Sequence, residues 1–248
     1  MCNSYRKLKY DTWNNFKGNI ARDLCGSAFF PEKKYIFRGQ RNQDWLLVTS
    51  FDRAFGHLEF ETRRKIEKSL QNEFRNRCKE TSGNGMFDKY NDIQVLSLGQ
   101  HYGLPTRLLD WSYSLYVAAF FAFAYSKNDY SDNVVIWALD MDHQIWQGDY
   151  GVEIVTSKID ENEYQKYQKA IFTLNKTPYV DIQSFVQACN DRCNTDGALT
   201  QILIPYNERN IVLNDLEMMS INHMNLFPGF EGCAQTALLK EFVNNNLN

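Results

Sequence analysis

The segment from Ser114 to Ser126 is apolar on every side of a helix, so no polar stripe is left to face water. A helix with that pattern must be enclosed by other elements, which predicts that it is buried centrally. Its apolar run, Val117 to Tyr125, is far below the ~20 residues that cross a bilayer. Val134–Leu139 follows, with the continuous β-branched character of an interior strand. Tyr35–Phe37, Trp45–Thr49, Val152–Val155, Ile171–Leu174 and Thr200–Ile204 read as further strands. Helical spacing predicts helices over Leu58–Lys79, Tyr90–His101, Tyr179–Asn190, Asn210–Ser220 and Cys233–Asn244. Strands and helices are interspersed without strict alternation, and no linker or repeat divides the chain. The expected fold is α+β, a single domain with a mixed, largely antiparallel central sheet flanked by helices.

The charge balance, 27 Lys and Arg against 30 Asp and Glu, gives a net charge of -3. That argues against broad wrapping of nucleic acid, which needs many phosphate-neutralising cations. Aromatic residues reach 15%, enough for a dense core or a pocket that stacks flat ligands. The six cysteines form no CxxC pair and the four histidines do not cluster with them, so no zinc site is expected. MCNSYRKLKY has no apolar signal region, and the expectation is a cytoplasmic protein with no membrane partner. Phosphate-loop, dinucleotide, zinc-protease and serine-hydrolase motifs are all missing.

Two polar-aromatic stretches hold the candidate chemistry. Leu98–Ser114 (LGQHYGLPTRLLDWSYS) follows neither helix nor strand period, yet lies between apolar helices. Gln100, His101, Thr106, Arg107 and Asp110 must find partners there, because an unpaired buried polar group costs about 1–3 kcal/mol. An internal Arg107–Asp110 ion pair is the structural reading; a ligand site built from imidazole, guanidinium, carboxylate and rings is the functional one. In the second stretch, Tyr35–Arg41, a strand ending in Arg38-Gly39 can hold a guanidinium at a sheet rim. The missing Cβ of Gly39 would let a ligand approach the backbone, and the planar fork of Arg suits phosphate.

YIFRGQ, then GQHYGLPTRLLDWS and the small-aromatic VAAFFAF, together resemble the FRG domain family. KYQKAIFTL and the segment from Ile202 to Gly232 resemble its later parts, so the likeness runs from Tyr35 to Leu239. It divides the chain into an N-terminal helical extension, residues 1–34, and an FRG domain, residues 35–248. A more distant resemblance is to ADP-ribosyltransferases, in which an early strand bears Arg or His followed by Gly. Phe120-Phe121-Ala122 with Ser126-Lys127 and Tyr130 is similar to the Tyr-Phe-Ala step of one branch, and Ser112 with Ser114 to the Ser-x-Ser of another. That resemblance implies an ADP-ribosyltransferase-like core and NAD as substrate. On that reading Arg38 and Arg107 serve the phosphates, Phe120 or Tyr102 stacks the ring, and Asp110 or Glu231 faces the cation. The candidate catalytic residues are Arg38, His101, Asp110 and Glu231, with Arg38, Gly39, Gln40, Tyr102, Thr106, Arg107 and Phe120 around the NAD. A macromolecular acceptor, protein or nucleic acid, and a toxin or phage-defence role with an antitoxin-like inhibitory partner are implied in the same way. The alternative is a non-catalytic module that recognises a phosphate-bearing ligand or a partner protein.

Overall fold

The computed structural model describes residues 5–32, 34–82, 86–124, 131–147, 151–157, 170–227 and 229–244. Seven strands form one sheet: β1 (Arg6–Lys9), β2 (Tyr35–Gln40), β3 (Leu108–Ser112), β4 (Asn133–Asp140), β5 (Val152–Val155), β6 (Ala170–Asn175) and β7 (Leu199–Pro205). Their order is β1-β7-β4-β2-β3-β6-β5. The β1–β7 pair is parallel and every other pairing is antiparallel. The helices are α1 (Trp13–Cys25), α2 (Ser50–Phe55), α3 (Phe60–Ser82), α4 (Met86–Lys89), α5 (Asp92–His101), α6 (Leu115–Phe123), α7 (Ile182–Asn190), α8 (Arg209–Met218), α9 (His223–Leu226) and α10 (Phe230–Asn244). The expected single-domain α+β fold is what forms.

Strand β4 shows why the sheet lies inside. Val134, Ile136 and Ala138 join one core, with Trp13 and Phe16 of α1, Phe120 and Phe123 of α6, and Val212 of α8. Val135, Trp137 and Leu139 join a second core on the other face, with Ile182 and Val186 of α7. Alternate residues of a strand point to opposite faces, so a run buried throughout needs cover on both. A third cluster packs Leu96 of α5 on Leu108, Phe172 and Val155 of the far half. Helix α6 starts at Ser114, whose Oγ accepts the Val117 N–H at 3.3 Å.

Three expectations are revised. Trp45–Thr49 is not a strand, since only Val48 bridges to Asp181; Leu47 instead donates its N–H to the Gln183 side chain at 2.9 Å. The aperiodic QHYGLPTRLLDW segment does contain a strand, β3, in which every residue but Asp110 is buried. Burial on both faces removes the alternation that would have marked it. The first 34 residues supply an edge strand as well as a helix: β1 pairs with β7, and Trp13, Phe16, Ile20 and Leu24 of α1 are buried in the first core.

Candidate functional site

Strands β2 and β3 are paired at a single position, Phe37 with Ser112. Beyond it they part, and a cleft of about 1040 Å³ opens between them. Arg38 and Gly39 of β2 line one side and Asp110 and Trp111 of β3 the other. Arg41, Trp45 and Leu46 of the following loop, Arg53 of α2, and Val117, Ala118 and Phe121 of α6 complete most of the wall, with Phe227. The parting is spanned by a side chain: Arg38 Nη1 donates to the Asp110 carbonyl at 2.7 Å, with the Asp110 carboxylate 3.9 Å away.

The Asp110 carboxylate is fixed from behind. Gln100, in the last turn of α5, donates through Nε2 to both carboxylate oxygens at 2.9 Å. Its Oε1 accepts from the Thr106 hydroxyl at 2.5 Å, which dictates which way the amide points. Thr106 is locked in turn by Ser50, whose Oγ accepts the Thr106 N–H at 3.1 Å. The Asp110 side chain lines the cleft and is 57% exposed. Desolvation pushes its carboxyl above the ordinary value, against the opposing pull of Arg38 and Gln100. Desolvation likewise lowers Arg38, reinforced by the nearby Arg53 charge and opposed by Asp110.

Several residues expected at the site are placed elsewhere or serve another purpose. Arg107 does not pair with Asp110. It is 1% exposed and contacts Asp52, Nη2 to Oδ1 at 3.4 Å, while donating to the Thr177 carbonyl at 2.8 Å. Thr106 is buried too, and acts through Gln100. Phe120 is 1% exposed in the first core, its ring 4.8 Å from that of His223, so it cannot stack on a ligand. A helix turns ~100° per residue, and it is the next residue, Phe121, that reaches the cleft. Gly39 lines the cleft, but its missing Cβ is required by α6: a Cβ there would lie 1.9 Å from the Ala118 carbonyl oxygen. Gln40 lines the cleft as expected and also braces the scaffold, accepting from the Trp137 indole at 2.8 Å and donating to the Leu46 carbonyl at 3.3 Å.

His101 and Tyr102 lie at the exposed end of α5, their rings 5.1 Å apart, and neither lines the cleft. Glu231 falls in the first turn of α10, ahead of the helix expected to begin at Cys233; its side chain lies outside the described residues. Ser126, Lys127 and Tyr130 also lie outside them. Ser112 and Ser114 cap the start of α6, the Ser114 N–H donating to Ser112 Oγ at 3.1 Å.

Trp45, Arg53 and Phe227 line the cleft without having been candidates from the sequence, and Arg41 and Phe121 line it from within stretches that were. The second Arg of RGQR was a visible signal; Phe227 meets the cleft only through the fold. Among the described residues no group of three or more His, Cys, Asp and Glu converges to hold a metal. No helix among them is long and apolar enough to cross a membrane.

The molecule is thus an α+β domain whose central sheet is split by a cleft with cationic and aromatic walls and two carboxylates, the braced Asp110 and Asp44 on the loop that carries Trp45. Residues 33–131 match the FRG domain family, a span that covers YIFRGQ, QHYGLPTRLLDW and VAAFFAF. No curated protein and no solved structure matches the chain.

Proposed function

We propose that the cleft binds NAD and that the chain is an ADP-ribosyltransferase acting on a macromolecule. The observation that carries this reading is the pairing of Arg38 with Asp110 across the parted strands, a phosphate-suited fork beside a braced carboxylate. Arg38, with Arg41 and Arg53 on the same walls, neutralises the pyrophosphate. Asp110 stabilises positive charge on the ribose as the bond from its anomeric carbon to nicotinamide breaks. The bond electrons leave with nicotinamide, a nucleophile on the acceptor attacks the same carbon, and the proton it loses is released. A plain anion pocket has no use for an acid beside its arginine, which is why the transferase is preferred to a non-catalytic module. The acceptor is a protein or a nucleic acid, and a toxin or defence role restrained by an inhibitory partner in the cytoplasm is the wider form of the proposal.

The test is incubation with NAD labelled in its adenylate half, in the presence of cell lysate. Label should pass to macromolecules, and Arg38→Ala and Asp110→Asn should each abolish the transfer while remaining folded. Loss of one charge-assisted phosphate contact is worth about 1.5–3 kcal/mol, roughly tenfold to a hundredfold in affinity. Absence of both label transfer and calorimetric NAD binding would return the cleft to a non-catalytic module for a phosphate-bearing ligand or a partner protein.

A further inference from the structure

Of the five tryptophans, four have structural positions. Trp13, Trp111, Trp137 and Trp146 are each at most 5% exposed. Each donates its indole N–H: Trp13 to Asp215 at 2.6 Å, Trp111 to Thr173 at 2.9 Å, Trp137 to Gln40 at 2.8 Å and Trp146 to the Asp140 carbonyl at 2.8 Å. Trp45 differs in both respects. It is 38% exposed at the wall of the cleft, and its indole donates to no acceptor among the described residues. A ring left in that condition does nothing for the core, whose apolar clusters form without it.

The loop that carries Trp45 is tethered on both sides of it. Gln43 donates its N–H to Ser131 Oγ at 3.0 Å, accepts at its side-chain oxygen from Asn133 at 2.9 Å, and accepts at its carbonyl from Gln201 at 3.1 Å. Two residues past Trp45, the fully buried Leu47 is held by Gln183. The ring is therefore presented from a fixed backbone, and little ordering entropy remains to be lost when a ligand lands on it. The Arg41 guanidinium lies over the ring, 5.0 Å from its centroid, a cation–π contact that places positive charge beside the stacking surface. Arg38 and Arg53 continue that charge along the same wall.

We propose that Trp45 is a stacking platform for the aromatic base of a nucleoside diphosphate moiety, with Arg41 beside the base and Arg38 and Arg53 receiving the phosphates. This rests on the reading of the cleft as a dinucleotide site and specifies which of its walls takes the base. A free phosphate or a sugar phosphate would meet the arginines and leave Trp45 idle.

The probe is ADP, titrated against the full chain while tryptophan emission is followed, with inorganic pyrophosphate as the ligand that lacks a ring. ADP should quench the emission and pyrophosphate should not. Trp45→Phe should bind ADP with most of the quench lost, since phenylalanine keeps a stacking face and, of the other tryptophans, only the 3% exposed Trp111 borders the cleft. Trp45→Ala should weaken ADP by about five- to a hundredfold, the range that stacking one base on a ring confers, and leave pyrophosphate binding where it was. Melting curves on both variants confirm that they fold.

Equal weakening of ADP and pyrophosphate by Trp45→Ala, or a quench undiminished by Trp45→Phe, would overturn the platform. Nicotinamide release from NAD, measured on the same proteins, separates the two claims. Release with a KM that Trp45→Ala does not change removes the platform and keeps the transferase. Stacking of ADP without release keeps the platform and removes the transferase.

Discussion

Replacing Asp52 by Asn keeps the shape of the side chain and removes its charge, with consequences that can be worked from the contacts it makes. Its side chain is fully buried, as is the Arg107 it faces, and Arg63 is nearly so. Oδ1 accepts from Arg63 at 2.9 Å, and Oδ2 accepts from Thr49 at 2.8 Å and from Asn175 at 3.3 Å. Arg107 stands 3.4 Å from both oxygens. The variant therefore leaves two enclosed guanidinium groups without the carboxylate they share, while the half-buried Glu67 still interacts with both electrostatically. Breaking a buried pair by removing one partner costs about 3–5 kcal/mol, a large part of the about 5–15 kcal/mol that holds a typical domain together. A chain of this size loses roughly 2–4 °C of Tm per kcal/mol, so the transition should fall by about 6–20 °C. Circular dichroism melts of Asp52→Asn beside the wild type measure it directly. The double variant Asp52→Asn with Arg107→Gln should lose less than the two single losses combined, because the second change removes a stranded charge. A Tm within about 2 °C of wild type for Asp52→Asn would refute the claim that this carboxylate anchors the loops behind the cleft.

Asp110→Asn should act in the opposite sense on stability. Desolvation raises the folded-state pKa of Asp110, so the carboxyl adds stability when protonated, and that stability is lost as pH rises from about 3.9 through the higher folded value. Solvent screens a carboxylate that is 57% exposed, so the cost of its charge at neutral pH is small. Asp110→Asn should melt at or slightly above wild type there, with any difference closing as the pH is lowered, and a clearly lower Tm at neutral pH would contradict this. Gly39→Ala places a methyl 1.9 Å from the Ala118 carbonyl oxygen and 2.7 Å from the Ala122 nitrogen, both backbone atoms of α6 that cannot rotate away. It should lose at least the about 1–3 kcal/mol typical of overpacking, visible as poor soluble yield and a lowered melt, and a wild-type melt would show that Gly39 is free to change.

What the sequence made legible depended on whether one residue's neighbours decide its place. Val134–Leu139 reads as interior strand because every residue is apolar, and the fold buries all six. Arg38 was legible because a charged residue after Tyr35-Ile36-Phe37 has to leave the core, and it does so at the cleft. Arg107 and Asp110 were not separable in the sequence. They are three positions apart, and only the tertiary fold sends one to Asp52, far earlier in the chain, and the other to Gln100 and Arg38. Phe120 and Phe121 failed for another reason: in a helix apolar on all sides, nothing marks the side that meets a cleft. Trp45 was read as part of a strand, because an anchored loop and a strand share apolar residues and differ in where their backbone hydrogen bonds go.

The pairing of the first strand with the last has a consequence for biosynthesis. Arg6 sits opposite Thr200, and Trp13 reaches its acceptors at Glu208 and Asp215. A ribosome that has completed the segment matched to the FRG domain, residues 33–131, has made only three of the seven strands: β1, whose partner is missing, and β2 and β3, joined at one register position. β4, which buries both of its faces, and β7, which receives β1, are still to come. The early strands and the apolar α6 must wait for partners supplied roughly 70 residues later, an interval in which sticky surface is open to chaperones and to aggregation. The segment that carries the recognisable motifs is therefore not a portable module: cut out alone, it would hold the cleft's residues, Phe227 excepted, without the sheet that keeps them apart.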